Sequence, residues 1–529
     1  MNDRLEQLAH LSPEQRAILI DKLRDRRLAE QGKSGTPGIA IPPCDRSTPI
    51  PLSFPQEQLW FLDQLQPGSV DYNERWALRM EGNLDIDSLE RAVCEVTRRH
   101  ESLRTTFPVL DGQPVQDIHP FDPQAPVLQI QALAASEDPA ELERRLDEAT
   151  YQPFDLGQGP LWRVILFRQN QNLHVLLLVT HHIIADAWSM AIFFREMADA
   201  YACFLRGKPA PLPALPIQYA DFAHWQQQRL QGEALAKQIE FWRGHLEGAP
   251  GLLQLPTDHS RPPRPSQRGG TLRFSLDEGL SRQLKQLSAQ VGTTLYTTLF
   301  SAFNVLLHRY TGQEDLVVGT VTANRAHPEL EALIGHFVNT LALRTRFSSG
   351  MSFRDVLQQV HGLMKSSHDY HDTPFEKLVR ALQPVRDLGH HPIFQINFNL
   401  HNQPGIGNLE LPGLRLTQVS LDSKTAKLDL YLLMYETGGD LTGEFEYSLD
   451  LFEPSTIERM AGHFNTLLAG IVADPGQCIG RLPLLTEAER QQLQAWNDTA
   501  TDYPQDQTLV DLFEAQVESA PDQIGRAHV

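Results

Sequence analysis

Two adjacent histidines and an aspartate lie within ten residues of one another at 180–189, where the sequence is THHIIADAWS. A buried strand is predicted just before them at 173–179, and an apolar-periodic helix is predicted just after them at 188–205. Polar side chains at such a junction can project into a cleft, where a histidine can act as a general base near neutral pH. Asp186, four residues after His182, could fix the backbone of the turn or pair with an arginine.

Two other interpretations fit the same residues. His182 and Asp186 could be metal ligands, but no third ligand stands at a suitable spacing, which disfavours a metal site. Both histidines could instead be core residues whose ring nitrogens are satisfied by backbone hydrogen bonds. From these ten residues alone, a structural role and a catalytic role are about equally supported.

Helices and strands alternate along the rest of the chain, which predicts an α/β or α+β fold. The body of the chain falls into a first half, at about 51–230, and a second half, at about 235–480. The first half has a further predicted helix at 88–100 and a proline-rich surface stretch at 208–216. In the second half, helices are predicted at 238–247, 280–291 and 295–310, and strands at 272–276, 316–320, 393–400, 428–435 and 441–447.

The composition excludes some classes of function. The net charge of −20 argues against a nucleic-acid partner, which requires a basic face, and favours a surface that is charged for solubility. The polar N-terminus has no signal-peptide core, and the apolar run at 175–179 is too short to span a bilayer. The four cysteines (Cys44, Cys94, Cys203 and Cys478) form no C-x-x-C pair, which indicates reduced thiols in a cytoplasmic protein.

The stretch at 180–189 resembles the H-H-x-x-x-D-G motif of nonribosomal peptide synthetase condensation domains and of the wider chloramphenicol-acetyltransferase-like superfamily. Six further segments are similar to other condensation-domain motifs and follow in the family's order. They are LSFPQEQLWFL at 52–62, RHESLRTTF at 99–107, YADFAHW at 219–225, IGHFVNT at 334–340, HDTPFE at 371–376 and VRDLGHHPIF at 385–394. The resemblance therefore covers residues 48–485, which is most of the chain.

The resemblance implies an α/β sandwich of two chloramphenicol-acetyltransferase-like lobes, arranged as a V-shaped pseudo-dimer with a tunnel between them. Upstream and downstream carrier domains would deliver donor and acceptor thioesters on phosphopantetheine arms, and the two would be joined through an amide bond. His182 is implied as the active-site residue, either as a base or as a positioning group. The resemblance implies no metal and no cofactor bound by the chain itself.

Other residues receive supporting roles from the resemblance. Asp186 is implied to be structural and bonded to an arginine, for which Arg104 is the candidate. His181 is implied to support the loop, Trp188 still matches the motif, and Asn339 is implied to line the interface between the lobes. Without the resemblance, Arg104 and Asp186 would each be interpreted as a solvated surface charge.

The chain departs from the family pattern at two places. Ala187 replaces the family's glycine after the aspartate. Glycine at a tight turn usually supplies a positive φ or room for close approach, so alanine either strains the turn, narrows the channel or marks a turn that has adapted to it. Gly389, His390 and His391 stand where the family has Ser-Arg-Asn, and a variable surface loop is preferred there over a metal site.

These motifs predict the domain organisation. Residues 1–47 are predicted to be an N-terminal helical segment and linker, 48–230 the N-lobe, and 231–485 the C-lobe. Residues 486–523 resemble the linker and the start of a downstream adenylation domain whose nucleotide motifs are missing, which predicts that the chain is a fragment. The final IGRAHV at 524–529 is predicted to be a sequencing artefact.

The resemblance leaves other functions open. An epimerization domain or a related acyltransferase shares the histidine pair, but the adenylation-like segment favours condensation because epimerization domains normally follow a carrier domain. Heterocyclization is disfavoured, since that branch has aspartates in place of the histidines. A catalytically weak carrier-docking module is the non-enzyme alternative, and Ala187 is the residue that suggests it.

Overall fold

The computed structural model describes residues 40–133, 139–210, 212–348, 350–384, 387, 389–401, 409–437, 439–500, 502 and 506–521. The chain divides into two compact units between Leu482 and Pro483. The helix predicted within residues 1–30 and the tail at 524–529 lie outside the described residues.

The strands are short to medium in length and belong to the first compact unit. They are β1 (Ile50–Pro51), β2 (Asn73–Gly82), β3 (Thr105–Thr106), β4 (Val109–Leu110), β5 (Gln113–Ile118), β6 (Gln129–Ala132), β7 (Trp162–Arg168), β8 (Leu173–His181), β9 (Gly269–Ser275), β10 (Asp315–Thr322), β11 (Asn339–Arg346), β12 (Ile396–His401), β13 (Leu414–Val419), β14 (Leu430–Thr437) and β15 (Asp440–Ser448).

The helices occur throughout the described part of the chain. They are α1 (Phe54–Leu65), α2 (Ile86–Arg99), α3 (Pro139–Thr150), α4 (Ala187–Phe204), α5 (Tyr219–Arg229), α6 (Gly232–Leu246), α7 (Glu278–Val291), α8 (Leu295–Thr311), α9 (Phe353–Ser367), α10 (Phe375–Leu382), α11 (Pro454–Ala473), α12 (Glu487–Asn497) and α13 (Leu509–Ser519). Within the described ranges, none of them is long and apolar enough to cross a membrane.

The first compact unit is built on two large sheets. One has five strands in the order β13-β2-β8-β7-β6, and the other has six in the order β11-β10-β12-β14-β15-β9. A smaller sheet is formed by β1, β5, β3 and β4. The presence of sheets and helices in the same unit confirms the predicted mixed α/β class.

Strand β8 lies at the centre of the five-stranded sheet, antiparallel to β2 on one side and to β7 on the other. Its five apolar residues at 175–179 are all at most 1% exposed. Because both faces of the strand are covered, the sequence is continuously apolar rather than alternating. The strand predicted at 173–179 is confirmed, and it continues to His181.

The six-stranded sheet has one apolar and one polar face. On β14, Leu432 and Met434 are fully buried, whereas the intervening Tyr431 and Tyr435 are only half-buried. Helices α7, α8 and α11 pack against this sheet and give its apolar residues their cover. The opposite face, which carries Tyr431 and Glu446, is therefore left with polar side chains that need polar neighbours or water.

One strand of the second half joins the sheet of the first half. Strand β13 pairs antiparallel with β2, from Leu414 opposite Gly82 to Val419 opposite Ala77. Gly82 is needed at this edge because a Cβ there would lie 2.3 Å from the carbonyl oxygen of Gly413. The sequence did not predict this exchange of a strand.

Candidate active site at the junction of β8 and α4

The turn between β8 and α4 is built around an aspartate cap. Asp186 has extended backbone angles (φ −125°, ψ 176°), and its carboxylate accepts a hydrogen bond from the backbone N–H of Ser189 at 2.8 Å. This arrangement satisfies a free N–H group in the first turn of α4 and fixes the start of the helix. Ile183, Ile184 and Ala185 are at most 1% exposed, so the turn is anchored in the core.

His182 is held at the start of this turn by two hydrogen bonds. Its backbone N–H donates to the carbonyl of Tyr72 at 2.8 Å, and its Nδ1 lies 2.8 Å from the carbonyl oxygen of Ala185. Because a carbonyl can only accept, Nδ1 carries a hydrogen. In the neutral tautomer that this bond selects, the other nitrogen, Nε2, has a lone pair and can accept a proton from a substrate. The side chain is half-buried.

His181 points into the core of the first half. It is 3% exposed, and its Nδ1 accepts a hydrogen bond from the backbone N–H of Ile183 at 3.2 Å. Its ring lies 6.5 Å from that of Tyr72 and 6.3 Å from that of Phe154. Burial, together with the charges of His182 and Lys427, lowers the pKa of His181 to about 3. The ring is therefore neutral at physiological pH and supports the turn.

Asp186 pairs with Arg325, which lies in the second half of the chain. Nη2 of Arg325 lies 3.1 Å from Oδ1 of Asp186, and the two side chains are 1% and 0% exposed. The backbone N–H of Phe337 donates to Oδ2 at 3.1 Å, and the hydroxyl of Ser189 donates to Oδ1 at 2.7 Å. Asp186 therefore caps α4 and also forms a buried ion pair, and its bonds connect the turn to Arg325 and Phe337.

The prediction that Arg104 is the partner of Asp186 is wrong. Arg104 lies in a short 3-10 helix after α2, where its Nε donates to the carbonyl of Thr97 at 3.2 Å and its Nη1 donates to the carbonyl of His119. Its guanidinium is therefore used to hold local backbone. The aspartate is instead reached by an arginine 139 residues away in sequence.

His336 is a site residue that the sequence did not single out. Its ring centre lies 4.4 Å from that of His182, in an edge-to-face arrangement. Burial and the charges of His182 and His181 place its pKa well below the usual value, so the ring is neutral. Gly335 beside it has no room for a side chain, because a Cβ would lie 1.8 Å from the ring of Tyr219. The only sequence signal for His336 is its place in the segment IGHFVNT.

Ala187 is the first residue of α4, and its side chain is exposed. Among the described residues, the non-glycine positions with positive φ are Asp111, Gln267, Asn324 and Gln383, and Ala187 is not one of them. The turn therefore does not require glycine for its backbone conformation. Trp188 donates from its indole N–H to the carbonyl of Glu331 at 3.0 Å, which gives a further bond between the two halves.

Asn339 does not bond to the histidine turn. Its side-chain amide donates to the carbonyls of His371 at 2.9 Å and Thr373 at 2.7 Å, and so fixes the loop before α10. Nδ1 of His390 lies 3.0 Å from the backbone carbonyl oxygen of His391, and the ring of His391 lies 4.5 Å from that of Phe394.

Across the residues that the structure describes, no group of three or more His, Cys, Asp or Glu side chains converges as a metal site would require.

Comparison with known proteins agrees with this geometry. Residues 46–494 match the condensation domain family. The chain is 44% identical over 493 residues to chondramide synthase cmdD of Chondromyces crocatus, covering 93% of this chain and 13% of that protein. It is 40% identical over 491 residues to malpinin synthetase of Mortierella alpina, covering 93% of this chain and 6% of that protein. The chain thus spans only a small part of the length of these two relatives.

Solved structures agree as well. A holo four-domain nonribosomal peptide synthetase bound to AMP and glycine superposes with a TM-score of 0.78 and 26% identity, over 90% of this chain and 37% of that one. The X-domain from teicoplanin biosynthesis superposes with a TM-score of 0.75 and 31% identity, over 84% of this chain and all of that one. The chain therefore belongs to the condensation domain family of nonribosomal peptide synthetases, whose members are amide-bond-forming acyltransferases.

Proposed function

We propose that this chain joins a donor acyl or peptidyl thioester to the amine of an acceptor aminoacyl thioester. Both substrates would arrive on the phosphopantetheine arms of an upstream and a downstream carrier domain, and the chain itself would bind no cofactor. The observation that carries the proposal is the half-buried imidazole of His182, whose Nδ1 is engaged by Ala185 and whose Nε2 is left as an acceptor.

The chemistry follows from that free nitrogen. The acceptor amine attacks the carbonyl carbon of the donor thioester, and a C–N bond forms as the C–S bond breaks. Nε2 of His182 either takes the proton that the attacking nitrogen must lose or orients the amine through a hydrogen bond. The proton finally reaches the departing thiolate, so that the products are an amide and a thiol.

The neighbouring residues support this role without contacting the reacting atoms. We infer that the pair of Asp186 and Arg325 holds the turn, because both side chains are buried and bonded across the two halves. His181, neutral and buried, would set the direction of the strand end. Trp188 and Asn339 would brace the second half through their bonds to backbone carbonyls.

We further propose an N-lobe at 48–230, a C-lobe at 231–485, and a downstream adenylation domain after the C-lobe. The two separate sheets support the division into lobes, although β13 crosses it. In the segment after the C-lobe, α12 begins with a capping box of Thr486 and Glu489. Trp496 and Phe513 on α12 and α13 are 66% and 68% exposed, which suits helices that pack against further chain.

The direct test is amide formation by the purified protein with two loaded carrier domains, followed by mass spectrometry of the acceptor-bound product. A new amide on the acceptor carrier is expected. Epimerization of a single loaded carrier without any amide would favour the epimerization alternative, and binding of both carriers without product would favour a docking module.

His182→Ala tests the residue that carries the proposal. We expect amide formation to fall by ~10²–10⁴-fold, the usual loss for a proton-transfer group, with an unchanged free energy of unfolding. His259→Ala is the matched control, since this histidine is 49% exposed. Product formation near the wild-type rate by folded His182→Ala protein would refute the assignment.

A further inference from the structure

A carboxylate that has no ion pair among the described residues lies on β2, the strand that pairs with β8 before His182. Glu74 of β2 stands opposite Thr180 of β8, and two residues before it the carbonyl of Tyr72 accepts the hydrogen bond from the backbone of His182. Since side chains two residues apart on a strand share a face, Glu74, Thr180 and the start of the His182 turn lie on one face of the sheet.

A lysine from the second half of the chain faces this carboxylate. Nζ of Lys427, in the loop between β13 and β14, lies 4.5 Å from the centre of the Tyr72 ring. The side chain of Lys427 is exposed to water. Tyr72, whose ring it contacts, precedes Glu74 by two residues, and Glu74 and Lys427 each shift the pKa of the other.

Within the part of the chain that the structure describes, neither group has an ionic partner in direct contact. Among the described residues, Glu74 accepts no side-chain hydrogen bond and lies within 4.0 Å of no cationic nitrogen, and Lys427 likewise contacts no carboxylate. Opposite charges that lie near one another gain energy by closing into a contact pair. No such pair forms here, so the region between Glu74 and Lys427, called the gap below, keeps two charged groups to which a polar group of a ligand can bind.

The charge state of Glu74 fits such a ligand. Burial raises the pKa of Glu74, but positive charges around it, including those of Lys427 and Arg75, outweigh burial and lower the pKa below its usual value. It is therefore an anion at neutral pH. Lys427 is a cation, because Glu74 and other acidic groups outweigh the effect of burial and raise its pKa.

Two further titratable groups lie near the gap. Burial raises the pKa of Glu446 on β15 to about 7, against the lowering effect of Lys427. Burial lowers the pKa of His401 on β12, so its ring is neutral at pH 7. Of Glu74 and Glu446, Glu74 is thus the carboxylate that is an anion at neutral pH.

We propose that Glu74 binds the α-ammonium group of the acceptor substrate and presents its nitrogen to Nε2 of His182. This inference rests on the proposed function, because it assumes that an aminoacyl acceptor reacts at His182. An α-amino group has an unperturbed pKa of ~8 and is mostly protonated at pH 7. A carboxylate binds such a cation through a charge-assisted hydrogen bond, which is among the strongest contacts that a side chain can make.

The protons balance in this scheme. The bound ammonium gives one proton to Nε2 of His182, from which it passes to water. The resulting amine attacks the donor carbonyl, and the nitrogen loses a second proton to the thiolate as the C–S bond breaks. Glu74 takes no proton and stays an anion throughout, so it acts as a binding residue for the acceptor.

The experiment compares Glu74→Gln with Glu81→Gln, a control on the same strand that is 42% exposed and paired with Arg79. The probe is an acceptor-type aminoacyl thioester of pantetheine, and its α-hydroxy analogue is the neutral counterpart. We expect Glu74→Gln to weaken binding of the amine by about 10- to 100-fold at pH 7 and to leave binding of the hydroxy analogue unchanged. Glu81→Gln should bind both probes like the parent.

The dependence on pH gives a second readout. Above the pKa of the acceptor amine, the loss caused by Glu74→Gln should shrink towards none. Lys427→Met removes a charge that lowers the pKa of Glu74, so the acidic limb of amine binding should move to higher pH.

The outcomes separate this inference from the proposed function. Equal binding of the amine probe by parent and Glu74→Gln overturns the inference, whether or not amide product forms. A loss confined to probes with a cationic side chain also overturns it, in favour of side-chain selection. Absence of amide product from the parent protein, with Glu74-dependent amine binding intact, refutes only the proposed reaction.

Discussion

Substitution of Asp186 by alanine should destabilise the protein strongly, because this carboxylate holds four groups at once. It accepts from the backbone and hydroxyl of Ser189 at 2.8 and 2.7 Å, from Arg325 at 3.1 Å and from the backbone of Phe337 at 3.1 Å. Removing one member of a buried ion pair leaves the other charge uncompensated, which costs ~3–5 kcal/mol. We expect a loss of that size, with the loss of the helix cap included in it.

Asp277→Ala is the matched control for this substitution. Asp277 caps α7 through bonds to the backbone of Gly279 and Leu280, but it is exposed and has no ion pair among the described residues. Loss of such a cap costs ~1 kcal/mol. The difference between the two variants therefore isolates the buried pair from the capping bond.

The assay is urea denaturation followed by extrapolation of the unfolding free energy to water, together with amide formation by each variant. Arg325→Met should lose a similar amount. The double variant should lose less than the sum, since each single change leaves the other member of the pair uncompensated and the double change leaves neither. An Asp186→Ala protein that unfolds within about 1 kcal/mol of Asp277→Ala would refute the buried-pair argument. A stable but inactive variant would point to direct catalysis by Asp186.

Two more predictions concern Ala187 and Glu446. Ala187→Gly should lower the free energy of unfolding by ~0.4–1 kcal/mol, because the turn needs no positive φ and glycine adds freedom to the unfolded chain. Amide formation should stay within a few-fold of the parent, and a clear rise in melting temperature would contradict the prediction. The pKa of Glu446 rises from 4.5 to about 7 on folding, so the parent loses stability as pH rises from 4.5 to 7, by about 3 kcal/mol in full. In urea denaturation, the free energy of unfolding of Glu446→Gln should therefore equal that of the parent at pH 4 and exceed it by up to about 3 kcal/mol at pH 8. An equal difference at both pH values would contradict the assigned pKa.

The sequence predicted the elements whose signals are local. The helix at 280–291 begins two residues earlier, where Asp277 caps it, and ends at Gly292 with φ 71°, so the cap and the stop signal are both visible in the sequence. The capping box of Thr486 and Glu489 at the start of α12 is likewise a local signal. In these cases neighbouring residues alone determine where the helix starts and stops.

The parts that the sequence did not predict depend on distant partners. Strand β2 carries Glu74 and Arg75 beside apolar residues, and it pairs with β8 along its length and with β13 towards its C-terminal end. Its alternation is therefore too irregular to indicate a strand. Arg325 has no local pattern that marks it as buried, and its role depends on a contact with Asp186 that only the folded chain brings about.

Substitutions at His182 and at Asp186, which belong to the same turn, should affect the reaction rate and the free energy of unfolding differently. The bonds that hold His182 come from Ala185 and Tyr72, both in the first half, and its Nε2 is left for substrate. Asp186, four residues later, bonds instead to groups at 325 and 337 in the second half. A change at His182 should thus alter rate with little effect on folding, whereas a change at Asp186 loosens the turn and the contact between the halves together. Loss of activity at Asp186 accordingly has to be judged against the measured loss of stability, and His182 is the position at which rate reports on chemistry alone.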